Sequence, residues 1–252
     1  MSRPRVGTWS WAQQTGGRLS RREQLAMLAQ GMRARIALLP NRSRGGVASH
    51  SGPLELPIPP DSKLAREADE YVQSVSSPDL FGHCVRTWMF GTMIADRQSL
   101  DHDPELLYLA SAMHDLGLTD AHGCKDPTAH CFAVEGARGA HDFLTERDVP
   151  QPRAETVAEA ISLHLNVAVP LSLGHEAHLL SAGAQLDALG AGRNRLRPEQ
   201  IATVLDRWPR GDLASELHQS VGRQVRARPR SRVALLWPVG LKGMFVNNPL
   251  DR

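Results

Sequence analysis

A histidine and an aspartate stand side by side at the end of an apolar run, in AMHDLGLTD (residues 112–120). Burying an imidazole and a carboxylate together is costly unless something pairs with them, and a bound cation suits both. The same two residue types also close many helices as ordinary end residues. Three further ionisable groups interrupt apolar stripes: His83 in LFGHCVRTWMFG, His164 after Val157 and Ile161, and Asp187 after Leu180 and Ala184. Each taken alone reads more simply as a satisfied core residue. Together they fit histidines and aspartates from successive helices meeting on one divalent metal, a donor set that suits zinc, iron or manganese. Adjacent residues on an ideal helix point about 100° apart, so His114 and Asp115 share an ion only where the helix is ending. Gly117 reads as that ending.

The elements that must carry these groups are helical. Ser20 and Glu23 form a capping-box pattern, and Leu25, Leu28, Met32 and Ile36 follow at helical spacing, predicting an amphipathic helix that Pro40 stops. Ser77-Pro78 and Asp103-Pro104 each read as an N-cap followed by a first-turn proline. Further helices are expected in AVEGARGAHDFLTERD, PRAETVAEAISLHLN, HEAHLLSAGAQLDALG and RPEQIATVLDRW, with a last one starting at Asp212. The period is close to 3.6 in each, and strand signals are nearly absent. The fold class is all-α, and no 20 to 50 residue repeat of the solenoid kind stands out.

The chain is expected to divide into an N-terminal helix and Pro/Gly/Ser-rich linker (1–55), a helical domain (56–210) and a C-terminal helix with a basic and apolar tail (211–252). In that tail GRQVRARPRSR reads as a solvated face, and VALLWPVGLKGMF as a segment packing back on the bundle. A basic lid over an anionic substrate is the sharper alternative. A net charge of +2 argues against a dedicated nucleic-acid binder. No apolar run is long enough to cross a bilayer and no secretory signal is evident, so the expectation is a cytoplasmic protein. Three cysteines without CxxC spacing suggest neither a disulfide framework nor a structural zinc knuckle.

The order His83, His114-Asp115, Asp187 resembles the H…HD…D signature of the HD-domain superfamily, all-helical metal-dependent enzymes that are mostly phosphohydrolases. The segments IPPDSKLAREADEYV, LFGHCVRTWMFG, LYLASAMHDLGLT, FAVEGARGAHDFL and AISLHLN are similar to the branch that includes the cyanamide hydratases. The resemblance covers about residues 56–195. It implies an HD helical bundle, to which the N-terminal helix and the basic C-terminal tail are extensions outside the resemblance, and in which His83, His114, Asp115 and Asp187 bind one divalent metal ion, zinc first and iron or manganese as alternatives. Phe132 stands where dinuclear relatives carry a further histidine, which implies a mononuclear site and argues against di-iron oxygenation. His130 and His141 are then bystanders. His164 is implied as the proton-transfer residue, and Asn166 as a substrate contact or a helix cap.

Such a site makes hydroxide available at neutral pH. The expected reaction is metal-dependent hydration or hydrolysis of a small-molecule substrate, a nitrile such as cyanamide giving urea. The alternatives are hydrolysis of a nucleotide or other phosphomonoester, and a non-enzymatic binding module with a structural metal. Phosphate usually calls for basic side chains, and Lys125 and Arg86 are the obvious ones near the expected ligands. A homo-oligomer is also compatible with this reading.

Overall fold

In the computed structural model, which describes residues 4–37 and 55–251, every regular element is helical and no strand occurs among the described residues. The helices are α1 (Trp9–Thr15), α2 (Arg21–Ala37), α3 (Lys63–Val75), α4 (Pro78–Gln98), α5 (Pro104–Met113) and α6 (Phe132–Thr145). They continue as α7 (Gln151–Leu163), α8 (His175–Leu189), α9 (Pro198–Arg207), α10 (Leu213–Ala227), α11 (Arg232–Leu236) and α12 (Lys242–Val246). Most of the linker expected after α2 lies outside the described residues, as does Pro40.

The start signals act as their chemistry requires. Ser77 Oγ accepts the Leu80 amide at 3.1 Å ahead of α4. Asp103 Oδ1 accepts the Glu105 and Leu106 amides, both at 3.0 Å, ahead of α5. Ser20 and Glu23 close a capping box, the Ser20 amide donating to Glu23 Oε2 at 2.7 Å and the Glu23 amide to Ser20 Oγ at 3.4 Å. Helices α1, α3, α11 and α12 were not expected; α1 is capped by Thr8 and closed by Gly16 in the left-handed region at φ 60°.

At the centre, α4 and α8 lie almost backbone to backbone. A Cβ added to Gly183 would sit 2.1 Å from the Thr87 carbonyl oxygen, and one added to Gly91 would sit 3.0 Å from that of Leu179. Only glycine permits that approach. One turn further along each helix stand His83 and Asp187, so the same contact brings them together.

Two expectations about local structure are corrected. Leu25 and Met32 of the stripe on α2 are exposed, at 70% and 53%. The helix buries Met27 and turns its small residues Gly31 and Ala34 inward, because α11 packs too close for a larger side chain: a Cβ on Gly31 would lie 2.8 Å from Leu236. Gly117 is not a left-handed cap either. Helix α5 ends at His114, a short 3₁₀ turn (Leu116–Leu118) follows, and a Cβ on Gly117 would lie 2.0 Å from the Phe132 carbonyl oxygen. Its role is to let the turn after Asp115 pass against the start of α6.

One apolar core extends through the chain, from Trp11 and Met27 through Phe90, Leu109, Ile161 and Leu180 to Val233 and Phe245. The tail packs onto the bundle, with two of its arginines inside rather than solvated. Arg228 reaches Glu135 Oε2 at 2.5 Å, and Arg232 is fully buried with Nη1 on the Ser162 carbonyl at 2.6 Å.

Candidate metal centre

His114 is the C-cap of α5, and at Asp115 the backbone has left the helix (φ −107°, ψ 15°). This break turns both side chains toward one point. His83 comes to it from the second turn of α4, and His164 from the C-terminal end of α7. All four are buried.

The bonds on the far side of each ring decide what faces inward. His114 Nδ1 lies 2.8 Å from the Ser111 carbonyl and His164 Nδ1 lies 2.6 Å from that of Ile161. A carbonyl only accepts, so both rings carry the proton on Nδ1 and present an Nε2 lone pair. His83 Nδ1 stands 2.7 Å from Asp187 Oδ2 and donates to it, which again leaves Nε2 as an acceptor. The Nε2 atoms of His83 and His114 are 3.2 Å apart. Asp115 Oδ2 lies 3.6 Å from the former and 3.4 Å from the latter, and its Oδ1 is 3.7 Å from His164 Nε2. Lone pairs and a carboxylate therefore converge with no donor among the described residues to separate them. A cation is what such a set lacks, and His83, His114 and Asp115 offer atoms close enough to hold one. Burial first, and then the neighbouring His114, hold His164 down at about 3, so its imidazole is neutral at physiological pH. Burial likewise lowers His114.

Asp187 is placed differently from the ligand expected of it. Its carboxylate stands behind His83, at Nδ1, and it receives Arg86 Nε on Oδ1 at 2.8 Å and Nη2 on Oδ2 at 3.0 Å. Arg210 Nη1 adds a contact to Oδ1 at 3.1 Å and also bonds the Asp187 carbonyl, which Asn248 reaches at 2.8 Å. Burial alone would raise this carboxyl, but the His83 bond and the Arg86 charge hold it well below the usual carboxylate range. Neither Arg210 nor Asn248 carries a motif that singles it out; they arrive from a loop and from the end of the chain.

The cluster lines a cavity of about 440 Å³. Among the described residues its polar side chains besides His83, His114, Asp115 and His164 are Asn166, Gln185 and Asn247, with no lysine or arginine. The tail supplies a wall, but an apolar one that includes Val233, Leu236, Leu241 and Phe245, so the basic lid weighed from the sequence is not what covers this space. Lys125 is exposed elsewhere and Arg86 is occupied by Asp187. Phe132 lines the cavity with its ring 5.9 Å from that of His164. His130 and His141 do not line it, and His141 packs on Trp9 at 5.4 Å.

Asn166 also lines the cavity, but its amide bridges the chain: Nδ2 donates to the Val6 carbonyl at 2.8 Å and Oδ1 accepts from Arg232 at 3.0 Å. Glu135 clamps the loop ahead of α6. It accepts the backbone amides of Cys124, Lys125 and Asp126 at 2.8 to 2.9 Å, and Arg228 closes its remaining side.

An all-helical bundle with a buried His and His-Asp cluster lining a cavity defines a class, and similarity to known proteins identifies it. Residues 80–208 match the HD domain, and the chain belongs to that family of divalent-metal-binding proteins, the metal-dependent hydrolase superfamily. The chain is similar to the cyanamide hydratases DDI2 and DDI3 of Saccharomyces cerevisiae, being 23% identical to each over 155 residues, 60% of this chain and 68% of theirs.

Proposed function

We propose that the protein is a metal-dependent hydratase that adds water across the carbon–nitrogen triple bond of an uncharged substrate, cyanamide to urea being the simplest case. What supports this over phosphate chemistry is a cavity that holds a buried histidine–aspartate cluster with no lysine or arginine side chain on its walls among the described residues. A phosphomonoester would bring about two negative charges into that apolar space with only the bound ion to offset them.

His83, His114 and Asp115 would hold a divalent cation, with Asp187 fixing the His83 ring from behind, as carboxylates commonly do for ligating histidines. When bound, such an ion lowers the pKa of water toward about 7. His164 is neutral and offers Nε2 as an acceptor, so it takes a proton from the attacking water before it gives one. The carbon–oxygen bond forms, one carbon–nitrogen π bond breaks, and the proton returns from His164 Nε2 to the nitrogen. Rearrangement of the resulting isourea gives the urea, with no ammonia released.

The test is elemental analysis paired with an assay. Wild type is expected to carry about one divalent ion per chain and His114→Ala none. Only the wild type should convert cyanamide to urea without releasing ammonia. A metal-free wild type, or a fully active His114→Ala variant, would overturn the reading.

A further inference from the structure

The space beside the cluster is far larger than cyanamide needs. Its volume of about 440 Å³ corresponds to on the order of fifteen waters of liquid, whereas cyanamide is hardly larger than a few. Most of the surplus is bounded by apolar side chains. Leu217 and Val221 come from α10, Ala188 and Leu189 from α8, and Leu236 and Leu241 from the segment that closes over the cavity. Polar groups that could orient a second charged or strongly hydrogen-bonding end are few. Asn166 is tied to Val6 and Arg232, and both Nε2 hydrogens of Gln185 are spent, on Ser181 Oγ at 3.0 Å and the Asn166 carbonyl at 3.4 Å.

Apolar lining of this extent gains free energy when hydrocarbon rather than water lies against it. The wall is also built rather than incidental. Helix α2 lies against the closing segment with Gly31 beside Leu236, and Phe245 of α12 is buried, so segments from both sides of the helical domain line the cavity. An enclosure of such residues recognises hydrocarbon by burying it, each methylene adding a similar increment of affinity until the space is full.

We infer that the physiological substrate carries an uncharged apolar body, an alkyl or aryl group of drug-like size, attached to the small polar head that reacts at the cluster. The inference rests on the proposed hydratase chemistry for the head alone; the body is assigned from the cavity.

A homologous series separates the two. The probes are N-alkylcyanamides from methyl to octyl as substrates, and the corresponding alkylureas as unreactive ligands. The latter bear the same body and report binding by calorimetry whether or not turnover occurs. Both KM and the alkylurea Kd are expected to fall by roughly four-fold per methylene and then level off when the cavity is filled. Ala188→Phe, which fills part of the cavity from a helix, should bring the levelling-off to a shorter chain; its melting temperature reports whether it folds. Alkylureas that tighten with length while no cyanamide is hydrated would keep the apolar body and overturn the hydratase. Cyanamide hydrated with no gain, or a loss, on lengthening would overturn the apolar body and keep the hydratase. No binding and no turnover along the whole series would overturn both.

Discussion

Asp187 holds more of the site together than any residue of the metal cluster itself. It bonds His83 Nδ1, takes both arms of Arg86, and is touched by Arg210. Truncating it strands two buried guanidinium groups, so Asp187→Ala is expected to lose about 3–5 kcal/mol of stability, read from denaturant unfolding. Asp187→Asn keeps the shape and tests the chemistry. An orienting carboxylate, once neutralised, should weaken metal binding by about 10–100-fold while leaving the stoichiometry intact at excess metal. Loss of the ion even at saturating metal, followed with a competing chelator, would instead make Asp187 a ligand. The sequence made His83, the doublet and Asp187 legible because ionisable groups in apolar stripes are costly without partners. Their partners were not legible. Arg210 lies in a loop after α9 and Asn248 near the chain end, and both reach the Asp187 backbone carbonyl, which carries no sequence signal.

At the scale of the elements, the site depends on how two helices touch and where a third begins. Gly183→Ala would put a Cβ 2.1 Å from the Thr87 carbonyl and force α8 away from α4. The cost of such overpacking is about 1–3 kcal/mol, occasionally more. Metal affinity should fall with the melting temperature, because the His83–Asp187 pairing lies one turn away. Helix α5, which delivers His114 and Asp115, starts at the Asp103 cap. Burial would raise that carboxyl, but the Leu106 amide and Arg153 outweigh it and lower it from 3.8. A carboxylate depressed on folding stabilises above its unfolded value and loses that contribution as pH falls through the folded one. Asp103→Ala should therefore cost about 0.5–2 kcal/mol at neutral pH. The gap from wild type should close as the pH drops below 3.8, as melting curves at a series of pH values would reveal. Caps such as Asp103 and Ser77 made most helix starts readable, since cap chemistry is local. The buried face of α2 was misread because its contact is made by Gly31 and Ala34, which no hydrophobic stripe advertises. The closing segment was only partly readable, Pro238 and Gly240 interrupting any helical period around a π turn (Trp237–Leu241) in which Gly240 sits at φ 131°.

For the whole molecule, the family match ends at residue 208, yet the cavity is completed by residues outside it. The first helix braces the site through a relay rather than by contact. Trp11 is fully buried, and the Arg232 guanidinium lies over its ring at 5.3 Å. Arg232 in turn bonds the Ser162 carbonyl and Asn166, on either side of His164. Asn166 also holds the Val6 carbonyl, so residues 6 to 11 and the end of α7 are fastened through one buried arginine. Removing the indole forfeits about 3–5 kcal/mol of packing and leaves that arginine less well enclosed. For a chain of this length the loss corresponds to a melting temperature lower by about ten degrees. Trp11→Phe, which keeps a ring beneath the guanidinium, should recover a good part of it. If the relay positions His164, Trp11→Ala will also lower kcat for cyanamide hydration at temperatures where it is fully folded, with metal content unchanged, because none of the ligating atoms has been touched. Unchanged kcat in a folded, metal-loaded Trp11→Ala protein would confine the N-terminal helix to a structural role.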